Sequence, residues 1–262
     1  MEHHIIDIGP YQLAICLIFV VISGIASIVY SLKLEKDLLI GTVRTFVQLF
    51  ILGYVLKFVF AMSNMFLVIG VFAFMIFFAA WTIYGRVKDK QIHFFFPVFV
   101  SMLLSFFLVA FLVTAVVVNV KPWWEPRYFI PLGGMVIGNS MNAIAIAIER
   151  LIGDLKSKRG EIEMKLCLGA DSREASKLLL QKAMQAGMIP SINSMMAVGM
   201  VFIPGMMTGQ ILSGSDPLIA IKYQIVVMIM LTGSTALGTL ITVLLVRNRC
   251  FNKAEQLVLK PD

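Results

Sequence analysis

The sequence predicts an all-α, polytopic integral membrane protein with about seven transmembrane helices and a cytoplasmic helical elbow. The 262 residues are 59% hydrophobic and only 14% charged, whereas a soluble domain carries about 25% charged residues. Apolar runs near the length of about 20 residues that a bilayer requires recur along the chain. A single long charged segment interrupts these runs after the fifth of them.

The apolar runs define seven candidate spans in chain order. The fourth and the last are longer than a bilayer needs, so each tilts or carries an extra turn. Because most of the apolar surface faces lipid or other helices, we expect one transmembrane domain over residues 1–262 and no large soluble core. The candidate spans are residues 10–32, 38–60, 64–84, 92–118, 129–148, 187–210 and 218–246.

Lysine and arginine concentrate in alternate loops, which is the pattern of cytoplasmic loops in membrane proteins. We therefore expect the N-terminus outside and the C-terminus inside a cytoplasmic membrane. The net charge of +7 follows from this asymmetry, so no nucleic-acid partner is expected. The basic residues of the cytoplasmic loops and tail include Lys33, Lys36, Arg86, Lys88, Lys90, Arg150, Lys156, Lys158, Arg159, Lys165, Arg173, Lys177, Lys182, Arg247, Arg249, Lys253 and Lys260.

The charged segment, residues 149–187, is predicted to form a helical elbow in the cytoplasm. An amphipathic helix over 149–168 stops at Gly169, a residue suited to a helix C-terminus. Asp171 and Glu174 then form a predicted capping box for a second helix, from Ser172 to about Gly187. The small apex allows close approach of a partner protein. The alternative is an ordinary hairpin between two spans.

Two glycine-methionine elements resemble each other. Residues 129–139 and 202–210 both read Phe-Ile-Pro and then Gly-Met-x-x-Gly-Asn/Gln. The prolines can kink a helix, and glycines four apart allow close backbone contact. The elements either pack tightly together or line a translocation cavity, and the candidate lining residues are Met135, Asn139, Met206, Met207 and Gln210.

A few other polar side chains lie within the candidate spans and complete the predicted cavity. Arg44 and Gln48 stand one helical turn apart, and Asn142 follows the first glycine-methionine element. Arg44 lies about 9 Å along its span at 1.5 Å per residue. It either snorkels to the cytoplasmic surface or pairs with Glu149, where it would act as a gate.

Several chemistries have no support in the sequence. No Gly-x-x-x-x-Gly-Lys-Ser/Thr phosphate loop occurs, so the chain is not expected to hydrolyse ATP or to be an enzyme. No carboxylate lies in the middle of a candidate span, as proton-coupled carriers usually require. His3 and His4 could bind a metal at the outer face, although terminal pairs are more often inert. The sequence assigns no metal ligand.

Four stretches carry a resemblance to a known family. They are residues 138–143 (Gly-Asn-Ser-Met-Asn-Ala), 166–170 (Leu-Cys-Leu-Gly-Ala), 204–209 (Pro-Gly-Met-Met-Thr-Gly) and 216–224 (Asp-Pro-Leu-Ile-Ala-Ile-Lys-Tyr-Gln). On these motifs the chain resembles the FetB-type permeases, the membrane subunits of two-component ABC transporters linked to iron export. Plant relatives are associated with aluminium tolerance. The resemblance covers about residues 10 to 246.

The resemblance implies a cytoplasmic ATPase partner that carries ATP and Mg, a homodimer in the membrane, and export of iron. It also implies that Glu163, Leu168, Gly169 and Ala170 couple the elbow to the ATPase. The elbow is similar to the Glu-Ala-Ala loop of ABC importers, but Met164 and Lys165 stand where alanines would.

The spans offer a poor donor set for free iron. A hard ion prefers oxygen and imidazole ligands, whereas the spans offer thioethers, amides and hydroxyls. Iron would therefore cross as a complex or use end-of-span acids such as Asp216, or the substrate is something else. Two alternatives to an ABC permease remain: a stand-alone channel or carrier, and a membrane scaffold that docks a partner without transport.

Overall fold

A computed structural model of the chain describes residues 8–62, 64–87, 89 and 91–259. Across these residues the regular structure consists of helices and two isolated bridges, which confirms the all-α prediction. His3, His4, Lys88, Lys90 and Lys260 lie outside the described residues. The helices are α1 (Pro10–Val29), α2 (Glu35–Met62), α3 (Met65–Arg86), α4 (Phe95–Leu112, continued by a π-helical turn at Val113–Val117), α5 (Pro126–Ser157), α6 (Arg159–Cys167), α7 (Ser172–Ala197), α8 (Gly205–Leu212) and α9 (Pro217–Cys250).

Six helices in the described part of the chain are long and apolar enough to cross a membrane. They are α1 to α5 and α9, with α4 extended by its π-helical turn. The predicted span over 187–210 is wrong as one continuous helix, because α7 ends at Ala197 and α8 begins only at Gly205. Gly199 has a φ of +84°, and Pro204 has no N–H to donate to a helix. The polytopic prediction holds, with one interrupted segment in place of a seventh span.

The chain divides into two compact units. The first contains the described part of residues 1–63 together with 212–214. Here α1 and α2 form a hairpin whose loop is held by Ser27, which is buried. Its hydroxyl donates to Glu35 Oε1 at 2.8 Å and accepts from the Leu34 N–H at 3.0 Å. Both helices of this hairpin are mostly exposed, with apolar side chains outward.

The second unit contains the described residues of 64–211 and 215–262, and α5 is its central helix. α5 packs on α3, α4, α7 and α9, and α4 also packs on α9. Phe72, Phe106 and Phe129 are among the largest fully buried side chains. Gly187 on α7 allows a close contact with the α5 backbone, since a Cβ at this position would lie 2.6 Å from the Ala143 carbonyl oxygen.

Buried hydroxyl groups link the helices of the second unit. Ser101 on α4 contacts Thr242 on α9 at 2.5 Å. Ser140 on α5 contacts Thr235 on α9 at 3.2 Å, and Ser191 on α7 donates to the same Thr235 at 3.5 Å. Small and hydroxyl-bearing residues are typical of helix contacts in membranes, where lipid gives little hydrophobic drive for association. These contacts hold α4, α5 and α7 around α9.

Candidate coupling elbow and membrane cavity

The elbow consists of the end of α5, the short helix α6 and the start of α7. The predicted continuous helix over 149–168 is wrong in one respect: it divides at Lys158, where φ is −108° and the helix axis is interrupted. The predicted stop at Gly169 is confirmed, with φ of +95°. Ala170 N–H donates to Lys165 O and Gly169 N–H to Leu166 O, both at 3.1 Å. This pair of bonds is the Schellman arrangement that ends a helix.

The start of α7 confirms the predicted cap at Asp171 but not the return hydrogen bond to the Glu174 side chain that a full capping box would add. It also corrects the predicted length. Asp171 Oδ1 accepts a hydrogen bond of 2.7 Å from the Glu174 N–H, which satisfies one free donor of the first turn. α7 does not end near Gly187, however, but continues through Pro190 to Ala197. Because α7 packs on both α5 and α9, tertiary contact supports a helix that proline alone would disfavour.

The apex of the elbow is open and apolar. Leu168 is 81% exposed, and nothing lies within 4 Å of a Cβ position at Gly169. Glu163, a predicted coupling residue, accepts a 2.6 Å ion-paired hydrogen bond from Arg159 one turn earlier. Pairs of this i,i+4 kind support a short helix. The structure therefore presents residues 168–170 at the tip of a braced helix.

A second carboxyl on α6, that of Glu161, is held by side-chain pairing of the same kind. A hydrogen bond from Lys165 and the charges of Lys165 and Lys158 lower the pKa of Glu161. This side chain is on the solvent-exposed face of α6. It is therefore ionised at neutral pH.

The base of the elbow is tied to the loop that follows α3. Lys156 Nζ lies 2.5 Å from Asp89 Oδ2, and both side chains are largely buried. Burial alone would raise the pKa of Asp89. The hydrogen bonds from Lys156 and the Gln91 N–H, together with the Lys156 charge, outweigh burial, so the pKa of Asp89 is lowered overall. The ion pair ties the C-terminal end of α5 to this loop.

A cavity of about 440 Å³ lies where the interrupted segment meets α9. Its lining is mainly apolar and comes from the end of α7, residues 198–204, α8 and α9, with the thioethers of Met195, Met207 and Met228 among it. Gln224 also lines the cavity and is 6% exposed; its Oε1 has no hydrogen-bond partner within the described ranges. The volume is in the range of small-molecule sites.

The second glycine-methionine element is the one that reaches this cavity. Of its three predicted residues, Met207 lines the cavity, while Met206 and Gln210 lie on the same short helix, half-buried, outside the lining. Pro204 does not kink a helix as predicted but directly precedes α8.

The first glycine-methionine element lies on α5 at a different surface. Met135 is half-buried, and its carbonyl accepts a 3.1 Å hydrogen bond from Asn139 Nδ2. Asn142 Oδ1 accepts a 2.8 Å hydrogen bond from Arg86 Nη1 at the end of α3. None of these residues is in the cavity lining. Their predicted place in a translocation path stays a prediction.

The remaining predicted residues, Arg44 and Gln48, are exposed on α2 in the first compact unit. Glu149 is exposed on α5 in the second unit. Both interpretations of Arg44, snorkelling or pairing, therefore stay open.

Sequence reasoning missed most of the cavity, above all Gln224 and Met228 on α9. The available signal was a glutamine inside an apolar run, directly after Lys222 and Tyr223. Among the residues that the structure describes, no group of three or more His, Cys, Asp or Glu side chains could hold a metal ion. The cavity is thus a neutral, thioether-rich surface with one amide.

These features define the chain as a polytopic all-α membrane permease. It belongs to UPF0014, an uncharacterised protein family whose sequence profile matches residues 10–251.

Curated relatives agree over nearly the whole length. The chain is 36% identical to the probable iron export permease protein FetB of Escherichia coli, over 96% of each chain. It is 36% identical to UPF0014 membrane protein slr1647 of Synechocystis over 87% of this chain and 88% of the relative. It is 33% identical to Protein ALUMINUM SENSITIVE 3 of Arabidopsis thaliana over 95% of this chain and 90% of the relative. No solved structure matches the chain.

Proposed function

We propose that the chain is the membrane subunit of an ABC transporter that exports iron across the cytoplasmic membrane, driven by a separate ATPase. The ATPase carries the ATP and Mg, and the permease acts as a homodimer. The chain itself has no phosphate loop, so transport against a gradient requires an external source of energy.

The open apex of the elbow is the observation that carries this proposal. A contiguous exposed apolar patch is typical of a protein interaction site. Met164 and Leu168, four residues apart at the end of α6, are 58% and 81% exposed. Leu168 is exposed beside Gly169, whose positive φ turns the chain sharply between two helices. A groove on the ATPase would receive this tip, and Glu163, Leu168, Gly169 and Ala170 would be its contacts.

The substrate proposal rests on the name of the Escherichia coli relative, a probable iron export permease. The cavity beside Met207 and Gln224 is the candidate point of passage. Since it offers one amide and no carboxylate, iron would pass there as a complex, or meet acids such as Asp216 at the span ends. Asp216 caps α9, accepting from the Leu218 N–H at 2.7 Å.

The first test is ATP hydrolysis by the candidate ATPase, reconstituted with this chain in proteoliposomes, with and without Fe²⁺. Hydrolysis that needs the chain and rises with Fe²⁺ supports the full proposal. Hydrolysis that needs the chain but ignores Fe²⁺ retains the ABC permease and rejects free iron as substrate. If no ATPase binds, a stand-alone channel or carrier, or a scaffold, takes its place.

The proposed orientation, with the N-terminus outside and the C-terminus inside, has its own test. It requires that α7 and α8 together cross the membrane once between α5 and α9, which makes seven crossings with the six continuous spans. Cys167, which is exposed on α6, should react with a membrane-impermeant maleimide only in inverted vesicles. Reaction from the outside would place the elbow away from any cytoplasmic ATPase.

A further inference from the structure

The residues after α9 form a small folded hairpin, which we name the C-terminal clasp (residues 251–259). Phe251 and Leu257 form an antiparallel bridge, and the Val258 N–H donates to the Cys250 carbonyl at 2.8 Å. Asn252 Oδ1 organises the turn by accepting from the N–H groups of residues 254 and 256, both at 2.9 Å. Leu257 and Leu259 are buried. The clasp is an ordered element.

The clasp contacts both arms of the elbow. At the start of α6, Arg159 Nη1 donates to the Leu259 carbonyl at 2.5 Å. At the start of α7, the Ser172 N–H donates to Glu255 Oε2. A carboxylate is favourable at a helix N-terminus because it meets free N–H donors and the positive end of the helix dipole. Glu255 thus caps a helix that begins more than eighty residues earlier in the chain.

A buried arginine of α9 lies close to the start of α7 and to the clasp. Arg247 lies in the last turn of α9 and is 7% exposed. Its Nη2 donates a 2.6 Å hydrogen bond to Asn248 Oδ1. Burial and the nearby Arg173 oppose its positive charge, and the carboxylates of Asp171 and Glu255 favour it. The end of α9, the start of α7 and the clasp therefore share one electrostatic cluster.

We propose that the C-terminal clasp positions the elbow relative to α9, so that engagement of the ATPase at the apex is transmitted to the cavity. α9 carries Gln224 and Met228 into the cavity at one end and Arg247 into the cluster near the other. The clasp and Arg247 connect the elbow to this helix without passing through the apex itself. Glu255 and Arg159 are then positioning residues. This inference rests on the proposed ATPase partner.

The test compares Glu255→Ala, Glu255→Gln and Glu255→Asp with a matched control, Glu161→Gln, in the full-length chain. Glu161 is, like Glu255, an exposed glutamate. It pairs with Lys165 on the elbow, but it contacts neither α9 nor the clasp in the described contacts. Each variant is reconstituted with the ATPase, and hydrolysis is titrated to saturation with the ATPase. Hydrogen exchange at the first turn of α7 is measured on the same samples.

With Glu255→Ala, we expect maximal stimulation of hydrolysis to fall about fivefold to tenfold, the size of a typical coupling between sites. The ATPase concentration for half-stimulation should stay within about twofold of the parent's, because the apex is intact. Exchange at the start of α7 should rise. Glu255→Asp should restore most of the stimulation, and Glu161→Gln should behave like the parent chain.

Unchanged maximal stimulation in Glu255→Ala would overturn the proposal, as would an equal loss in Glu161→Gln. If Glu255→Ala fails to fold, Glu255→Gln decides, since it keeps the size and an acceptor for Ser172 while removing the charge from Arg247. If the parent chain stimulates no ATPase, the proposed function fails instead. Hydrogen exchange then still tests the role of the clasp. If exchange at the start of α7 is unaltered in Glu255→Ala, the clasp does not position the elbow.

Discussion

Replacing Gly187 by alanine tests the helix contact at the centre of the second unit. The new Cβ would lie 2.6 Å from Ala143 O, 3.1 Å from Ala147 Cβ and 3.3 Å from Thr239 Cγ2. A carbon and a carbonyl oxygen normally approach to about 3.3 Å. The Ala143 oxygen belongs to the α5 backbone and cannot rotate away, so α7 must shift from α5 by about 0.7 Å.

The cost follows from two opposing effects. Overpacking of a close-packed contact costs about 1–3 kcal/mol, whereas replacing a helical glycine by alanine returns about 0.5–1 kcal/mol. The net loss is about 0–2.5 kcal/mol, with a midpoint of about 1.3 kcal/mol. At about 2–4 °C for each kcal/mol in a chain of this size, the midpoint corresponds to a fall in Tm of about 3–5 °C.

The assay is thermal unfolding of the detergent-solubilised chain, followed by retention of the monodisperse peak on gel filtration. Gly153→Ala is the matched control, because Gly153 lies in helix α5 with nothing within 4 Å of its Cβ position. It should keep or raise the Tm. A Gly187→Ala variant as stable as Gly153→Ala would refute the close α5–α7 contact.

Three further predictions concern the elbow, the cavity and the ion pair at the elbow base. Gly169→Trp should abolish co-purification of the ATPase while the chain still elutes as a folded species, since the bulk fills the open apex. Met206→Ala with Met207→Ala should lower substrate transport in vesicles more than expression or assembly. The Asp89–Lys156 pair should stabilise the chain at neutral pH and lose that contribution as pH falls below the usual carboxyl pKa of 3.8, because the folded pKa is lowered.

Controls separate these effects from general damage. Gly169→Ala introduces the same positive-φ strain as Gly169→Trp but no large side chain. Gly160→Trp places the large side chain on an open face of α6, away from the apex. Loss of ATPase binding in either control would contradict the proposed docking at the apex. Normal transport by the double methionine variant would leave those side chains as packing only. For the ion pair, Asp89→Asn should flatten the acid end of a Tm-against-pH curve, and an unchanged curve would contradict the assignment.

The spans were predictable because hydropathy over about 20 residues is a local property of the sequence. The stop at Gly169 and the cap at Asp171 were predictable for the same reason: each depends on residues within one turn. The length of α7 was not, because Pro190 disfavours a helix locally and only contact with α5 and α9 overrides it. The break at residues 198–204 was hidden within an apolar run that satisfies the length rule.

The cavity and the clasp were beyond sequence reasoning because both depend on distant contacts. Gln224 lines the same cavity as Met207 and Met195 because α9, α8 and the end of α7 come together there. Glu255 and Ser172 are separated by more than eighty residues. From the sequence, the residues after α9 were predicted only to be a basic cytoplasmic tail. Of the residues that the methionine pattern proposed for a translocation path, Met207 lines this cavity, and its role in transport stays a prediction.

The interruption between α7 and α8 has a consequence for water. The Gly199 N–H reaches the Phe202 carbonyl at 3.0 Å, and the Val201 N–H reaches Ala197 at 2.9 Å, so the chain partly pairs with itself where it leaves the helix. Hydrocarbon supplies no hydrogen bonds, so irregular backbone at membrane depth is tolerated only against protein or a water-filled space. If this segment lies within the bilayer, it must border one or the other. Where the cavity that Gln224 lines leaves residues 198–204 uncovered by protein, water would enter the membrane along this backbone.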